Sequence, residues 1–124
     1  MQASFTIEGR MPGLNEYTKK NRSDVHAGAA MKRRETERAA HAARAAHVPR
    51  FERPVRVTFH WFEPGRGRKR DLDNVAFAKK FVLDGLVMAG VLADDGPGYV
   101  VGFADVFSYC ADPHIVVTVS EVAA

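Results

Sequence analysis

The 124-residue sequence predicts an α+β domain in the order β-α-β-α-β-β, a mixed sheet with helices packed on it. Three observations carry this. Val55 to Phe62 alternates apolar and polar residues with the period of a strand. Two longer stretches, one rich in alanine and charge and one almost wholly apolar, have the length and composition of helices. The last quarter holds two strand-like runs with a short turn between them. A chain of this size makes one domain, residues 1–124.

Ser4 to Glu8 sets Phe5 and Ile7 against polar neighbours and reads as the first strand. Gly9 to Arg22 is expected to be a long loop, with Pro12, Gly13 and Asn15 as turn residues, partly disordered when the molecule is alone. It carries Lys19, Lys20 and Arg22. Ser23 or Asp24 caps a helix running to about His47. Arg33 with Glu37, and Glu35 with Arg38, are surface pairs worth a few tenths of a kcal/mol each. The buried side of this helix is mostly alanine and methionine. In the next strand Val55, Val57, Phe59 and Trp61 face one way, while Arg56, Thr58, His60 and Phe62 face the other. Pro54 sits where no ladder donor is lost. His60 is read as structural.

The strand leads through Pro64-Gly65-Arg66-Gly67 into Arg68-Lys69-Arg70-Asp71-Leu72-Asp73-Asn74. In an extended backbone Asp71 and Asp73 point to one side and Leu72 points into the core. Paired carboxylates repel one another unless a cation lies between them. Hard cations such as Mg²⁺ take one or two carboxylates, with water and phosphate completing the shell. Arg66, Arg68, Lys69 and Arg70 crowd against this pair and would draw backbone phosphates. A solvated loop would use the same residues.

Asp73 or Asn74 caps a second helix, Val75 to Ala89, apolar round most of its girth and so largely buried. At about 100° per residue, Asp73, Lys80 and Asp84 share a stripe and Lys79 lies off it. Lys80 is placed to hold a phosphate or to steady a phosphoryl transition state. Asp84 is an alternative partner for it. Gly90 ends the helix. Asp94-Asp95-Gly96-Pro97-Gly98 then forces a turn. Tyr99 to Tyr109 and His114 to Val122 follow as strands, expected to pair as a hairpin across Ala111-Asp112-Pro113.

Arg70-Asp71-Leu72-Asp73-Asn74, a following lysine, Leu83-Asp84-Gly85-Leu86, Ala89-Gly90-Val91 and Asp94-Asp95 together resemble the signature of RusA-type Holliday junction resolvases. The N-terminal part, with Gly9, Pro12 and Asn15, is similar more loosely. The resemblance implies a small homodimeric endonuclease that cuts four-way DNA junctions symmetrically with Mg²⁺, or with Mn²⁺ in its place. It carries catalytic roles onto Asp71, Asp73, Asp95 and Lys80, the three aspartates as metal ligands. Contacts to DNA fall to Asn15, Lys19, Lys20, Arg22, Arg66, Arg68, Lys69 and Arg70. The lysine departs from the family spacing: the usual position is Phe77, and reaching Lys80 needs three extra residues, nearly one helical turn. The Gly96-Pro97-Gly98 turn is also atypical.

A formal charge of +3 and a pI near 9.2 are mildly basic, so the clustering of the cations says more than their sum. No apolar run is long enough to span a bilayer, and the N-terminus lacks a signal-peptide pattern. The single cysteine, Cys110, has no partner for an internal disulfide, which suits the cytoplasm, and reads as inert. Two rivals use the same residues. One is a non-catalytic junction- or DNA-binding protein on this scaffold. The other is a nucleotide-sugar enzyme holding metal through Asp-x-Asp, for which the chain is short. The Glu-x-Lys tripeptide of a conventional two-carboxylate nuclease is missing near the acidic stretch.

Overall fold

The computed structural model describes residues 1–122. Strands β1 (Gln2–Glu8), β2 (Val55–Pro64), β3 (Val100–Cys110) and β4 (His114–Glu121) form one mixed sheet in the order β1-β4-β2-β3. β4 is antiparallel to both β1 and β2, while β3 runs parallel to β2 at the sheet edge. The helices are α1 (Leu14–Ser23), α2 (Val25–Ala45), α3 (Leu72–Ala76) and α4 (Lys79–Met88). The α+β class follows, as the alternation in β2 predicts. No helix among the described residues is long and apolar enough to cross a membrane.

The alternation fixes which face of the sheet is buried. Phe5 and Ile7 of β1, Val55, Val57, Phe59 and Trp61 of β2, and Ile115, Val117 and Val119 of β4 turn inward. They meet Phe81, Val82 and Leu86 of α4 and Ala39 and Ala43 of α2. Asp24 caps α2 as expected, its carboxylate accepting the His26 N–H at 2.9 Å. Small residues let α2 and α4 approach closely. A Cβ on Gly85 would lie 2.6 Å from the Ala39 Cβ and 2.9 Å from the Thr36 carbonyl oxygen, so only glycine fits there. Gly90, at φ +78°, ends the α4 segment in the left-handed region, as its sequence position implies.

Four expectations are corrected. Residues 9–22 are not one loop, because α1 occupies most of them. Its carboxylate Glu16 accepts the Gly13 N–H at 3.3 Å and so helps start the helix. No residue of α1 is fully buried, which is why no apolar period announced it. The helix expected over 75–89 begins earlier, at Leu72, and is broken at Phe77 and Ala78. There Ala78, Lys80 and Phe81 donate to carbonyls three residues back. Asp73 is therefore helical and Leu72 is half exposed rather than buried. Finally, β3 and β4 are not a hairpin: β2 lies between them and pairs with both.

Candidate nucleic-acid interface

The site is built where β2 ends and α3 begins. Glu63 occupies the next inward position of β2 after Trp61, so a carboxylate enters the buried layer. It is met by two guanidinium groups. Arg70 donates to both its oxygens at 2.9 Å, and Arg10 donates to Oε1 at 2.7 Å. Burial pushes the Glu63 carboxyl up. The hydrogen bonds and charges of Arg70 and Arg10 outweigh that and hold it below its usual range. Arg70 also donates to the Met11 carbonyl and to Glu16 of α1, each at 3.0 Å. One partly buried guanidinium thus fastens the end of β2, the start of α1 and the entry to α3.

That fastening brings α1 against α3. The Asn15 N–H donates to Asn74 Oδ1 at 2.9 Å. A cleft of about 380 Å³ opens beside this contact, lined by Asn15, Arg68, Lys69, Arg70, Asp71 and Asn74. A second hollow lies along α1, lined by Leu14, Asn15, Thr18, Lys19 and Arg22. Asn15 borders both. Asn15, Lys19 and Arg22 lie on one face because they are spaced about one and two turns apart. Lys20 is exposed but lines neither hollow, and Arg66 lines a separate one with Pro64, Gly65, Cys110 and Ala111.

Lys69 is held in place by the backbone. Its ammonium donates to the Gly65 carbonyl at 2.8 Å and lies 5.2 Å from the Tyr109 ring centroid. Gly65 in turn donates its N–H to the Cys110 carbonyl at 2.8 Å. The basic loop is therefore clasped to the end of β3.

Asp71 and Asp73 stand at the first turn of α3, both exposed, and Asp73 accepts the Asn74 N–H at 3.0 Å. Asp95 is exposed in the turn after α4, its N–H bonded to Asp94 Oδ1. Carboxylate oxygens at an exposed site suit a hard cation. Yet no group of three or more His, Cys, Asp or Glu side chains among the described residues is placed to hold a metal ion. Asp71 and Asp73 are neighbours by sequence, and Asp95 is not gathered with them.

Lys80 is exposed and belongs to none of the ion pairs among the described residues, while Asp84 faces Lys32 at 3.9 Å. It is Lys79 that turns toward the sheet. Its ammonium lies 2.5 Å from Asp105 and over the rings of Phe103 and Phe59, at 5.0 and 5.6 Å. At the break at Phe77, bonding to the third residue back winds the chain by about 120° per residue instead of about 100°, so the stripe expected of one unbroken helix does not carry through it. Glu63 and Asp105 escaped the sequence reading, which took Asn74 only as a cap and a motif residue and set Lys79 aside. Glu63 alone left a signal, as a charge at an inward position of the alternating strand.

No family model and no curated protein matches the chain.

Proposed function

We propose that the chain is a Mg²⁺-dependent, structure-selective DNA endonuclease that cuts four-way junctions, as the resemblance to RusA-type resolvases implies. It would act in the cytoplasm as a homodimer. The observation that carries the reading is the basic track from Arg22 through Lys19 and Asn15 to Arg68 and Lys69, with Asp71 at its end. Its chemistry suits a phosphate backbone, because cations line it and asparagines border it.

Asp71, Asp73 and Asp95 are the residues that would hold Mg²⁺, and Mn²⁺ would accept the same oxygen donors. When bound, the cation supplies an activated water and offsets charge on the phosphate. Arg68 and Lys69 hold the phosphate backbone beside Asp71. Lys19, Lys20, Arg22 and Arg66 extend that hold to either side. Lys80 projects from the following helix and serves as a further phosphate contact. Arg70 acts mainly by fixing the position of Asp71, since its guanidinium is committed to Glu63 and Glu16.

A non-catalytic junction-binding protein is the second reading, favoured by the separation of Asp95 from the other carboxylates. One experiment divides the two: incubation of a labelled four-way junction and a linear duplex with Mg²⁺ or with EDTA, for wild type and Asp73→Asn. Paired, metal-dependent cuts on the junction alone, lost in the variant, are the expected result. Tight junction binding with no cutting in either condition transfers the conclusion to the binding protein. Neither binding nor cutting overturns both.

A further inference from the structure

We infer that the helix-side row of β3 is a stacking platform for unpaired bases of a DNA strand whose phosphates lie on the basic track. In the parallel register Phe103, Asp105, Phe107 and Tyr109 stand beside Val57, Phe59, Trp61 and Glu63, the inward row of β2. They share that row's face, because side chains alternate along a strand. The helices that bury the β2 row leave β3 open. Val57, Phe59 and Trp61 are buried, whereas Phe103 and Tyr109 are 48% and 47% exposed. Phe107 is partly buried against the core. Exposed rings gathered on one strand mark an interaction surface.

The chemistry of the row selects its occupant. Each exposed ring has a lysine at its side. Lys79 Nζ lies 5.0 Å from the Phe103 centroid, and Lys69 Nζ lies 5.2 Å from the Tyr109 centroid. An aromatic ring beside a cation takes a base on its face and that nucleotide's phosphate on the ammonium. An apolar protein partner would instead strip water from two ammonium groups. Asp105, the row's one carboxylate, is engaged by Lys79 and by the Trp61 indole N–H at 2.9 Å. Lys69 bonds only to the Gly65 and Gly67 carbonyls and has no carboxylate partner among the described residues, so its charge is left for a phosphate.

Lys69 also lines the cleft with Asn15, Arg68 and Asp71. Platform and cleft therefore meet at one side chain. A strand leaving the cleft past Lys69 reaches Tyr109 first, then Phe107, and Phe103 roughly 20 Å along β3. The bases of a duplex are stacked on one another, so only unpaired bases have faces free for these rings. The inference rests on the nucleic-acid reading of the cleft and adds a substrate class to it: branched DNA that presents unpaired bases beside the cleft.

Binding in EDTA, where no metal-dependent cutting intervenes, tests the platform. Fluorescence anisotropy compares a labelled oligothymidylate, a strand of equal length with abasic sites in place of its thymines, and a blunt duplex. Wild type should bind oligothymidylate at least about 10-fold more tightly than the abasic strand, since the two carry the same phosphates. Tyr109→Ala and Phe103→Ala should each weaken oligothymidylate binding by roughly 5- to 150-fold and leave abasic binding unchanged. Tyr109→Phe, which keeps the ring, should bind as wild type does. Equal affinity for the two strands, or alanine variants that bind oligothymidylate normally, overturns the platform and leaves the row to a protein partner. If the alanine variants misfold, photo-crosslinking of wild type to a bromodeoxyuridine strand decides: adducts on Tyr109 or Phe103 uphold the platform, and adducts elsewhere overturn it. Duplex binding without preference for unpaired bases sinks the platform alone, and no binding of any probe sinks the nucleic-acid reading with it. Base-dependent binding without junction cleavage upholds the platform and sinks only the nuclease.

Discussion

Glu63 shows how one side chain can hold a site together without touching its ligand. Its carboxylate is the common acceptor of Arg10 and Arg70, and Arg70 aims the chain into Asp71. Glu63→Gln should destabilise the fold by about 3 kcal/mol, read by urea unfolding, because two guanidinium groups lose their counter-charge. The sign of the pH dependence follows from the lowered carboxyl. Its contribution is complete above the unfolded value near 4.5 and disappears as pH falls through the lower folded value. Wild type should therefore lose stability below about pH 4.5 more steeply than Glu63→Gln. Asp73→Asn should behave in the opposite way, since Asp73 is exposed in the first turn of α3. Its melting temperature should stay near wild type while junction cleavage drops at least about 100-fold. Equal cleavage by Asp73→Asn would remove that aspartate from the mechanism.

At the scale of elements, local signals were legible and long-range ones were not. Strand β2 announced itself by alternation, and α2 by its cap and composition. Helix α1 did not, because Tyr17 is the main apolar side chain it sends toward the core and the rest are polar. Its pairing with α3 depends on Arg70 and Asn74, both more than fifty residues away. The pairing of Lys79 with Asp105 joins residues far apart in sequence, and apolar periodicity does not encode it. The acidic and basic residues of the site were named from sequence. Their grouping into one track was not, since it needs α1 to be a helix. Lys19→Ala with Arg22→Ala should weaken junction binding and lower the salt slope by about 2, one for each lost phosphate contact. An unchanged slope would place DNA elsewhere. Between α2 and α4, Gly85→Ala should cost about 1–3 kcal/mol in stability through the contact with Ala39 and Thr36. A wild-type melting temperature would show that the two helices separate freely.

For the whole molecule, sheet order dictates how the chain closes. β1 pairs only with β4 among the described strands, Gln2 opposite Ser120, so the first strand waits for the last. β4 also separates β1 from β2. A chain ending at Cys110 should therefore lack native near-ultraviolet circular dichroism, whereas a folded spectrum would show that β1 finds another place. The shared clasp of Lys69 and Gly65 on Tyr109 and Cys110 has a consequence for energy flow. The basic loop that borders the cleft and the end of β3 are one mechanical piece. Ordering either lowers the entropy still to be lost by the other. Reciprocity then requires that whatever factor a ligand of the loop adds to a contact at the end of β3, that contact returns to the affinity for the ligand.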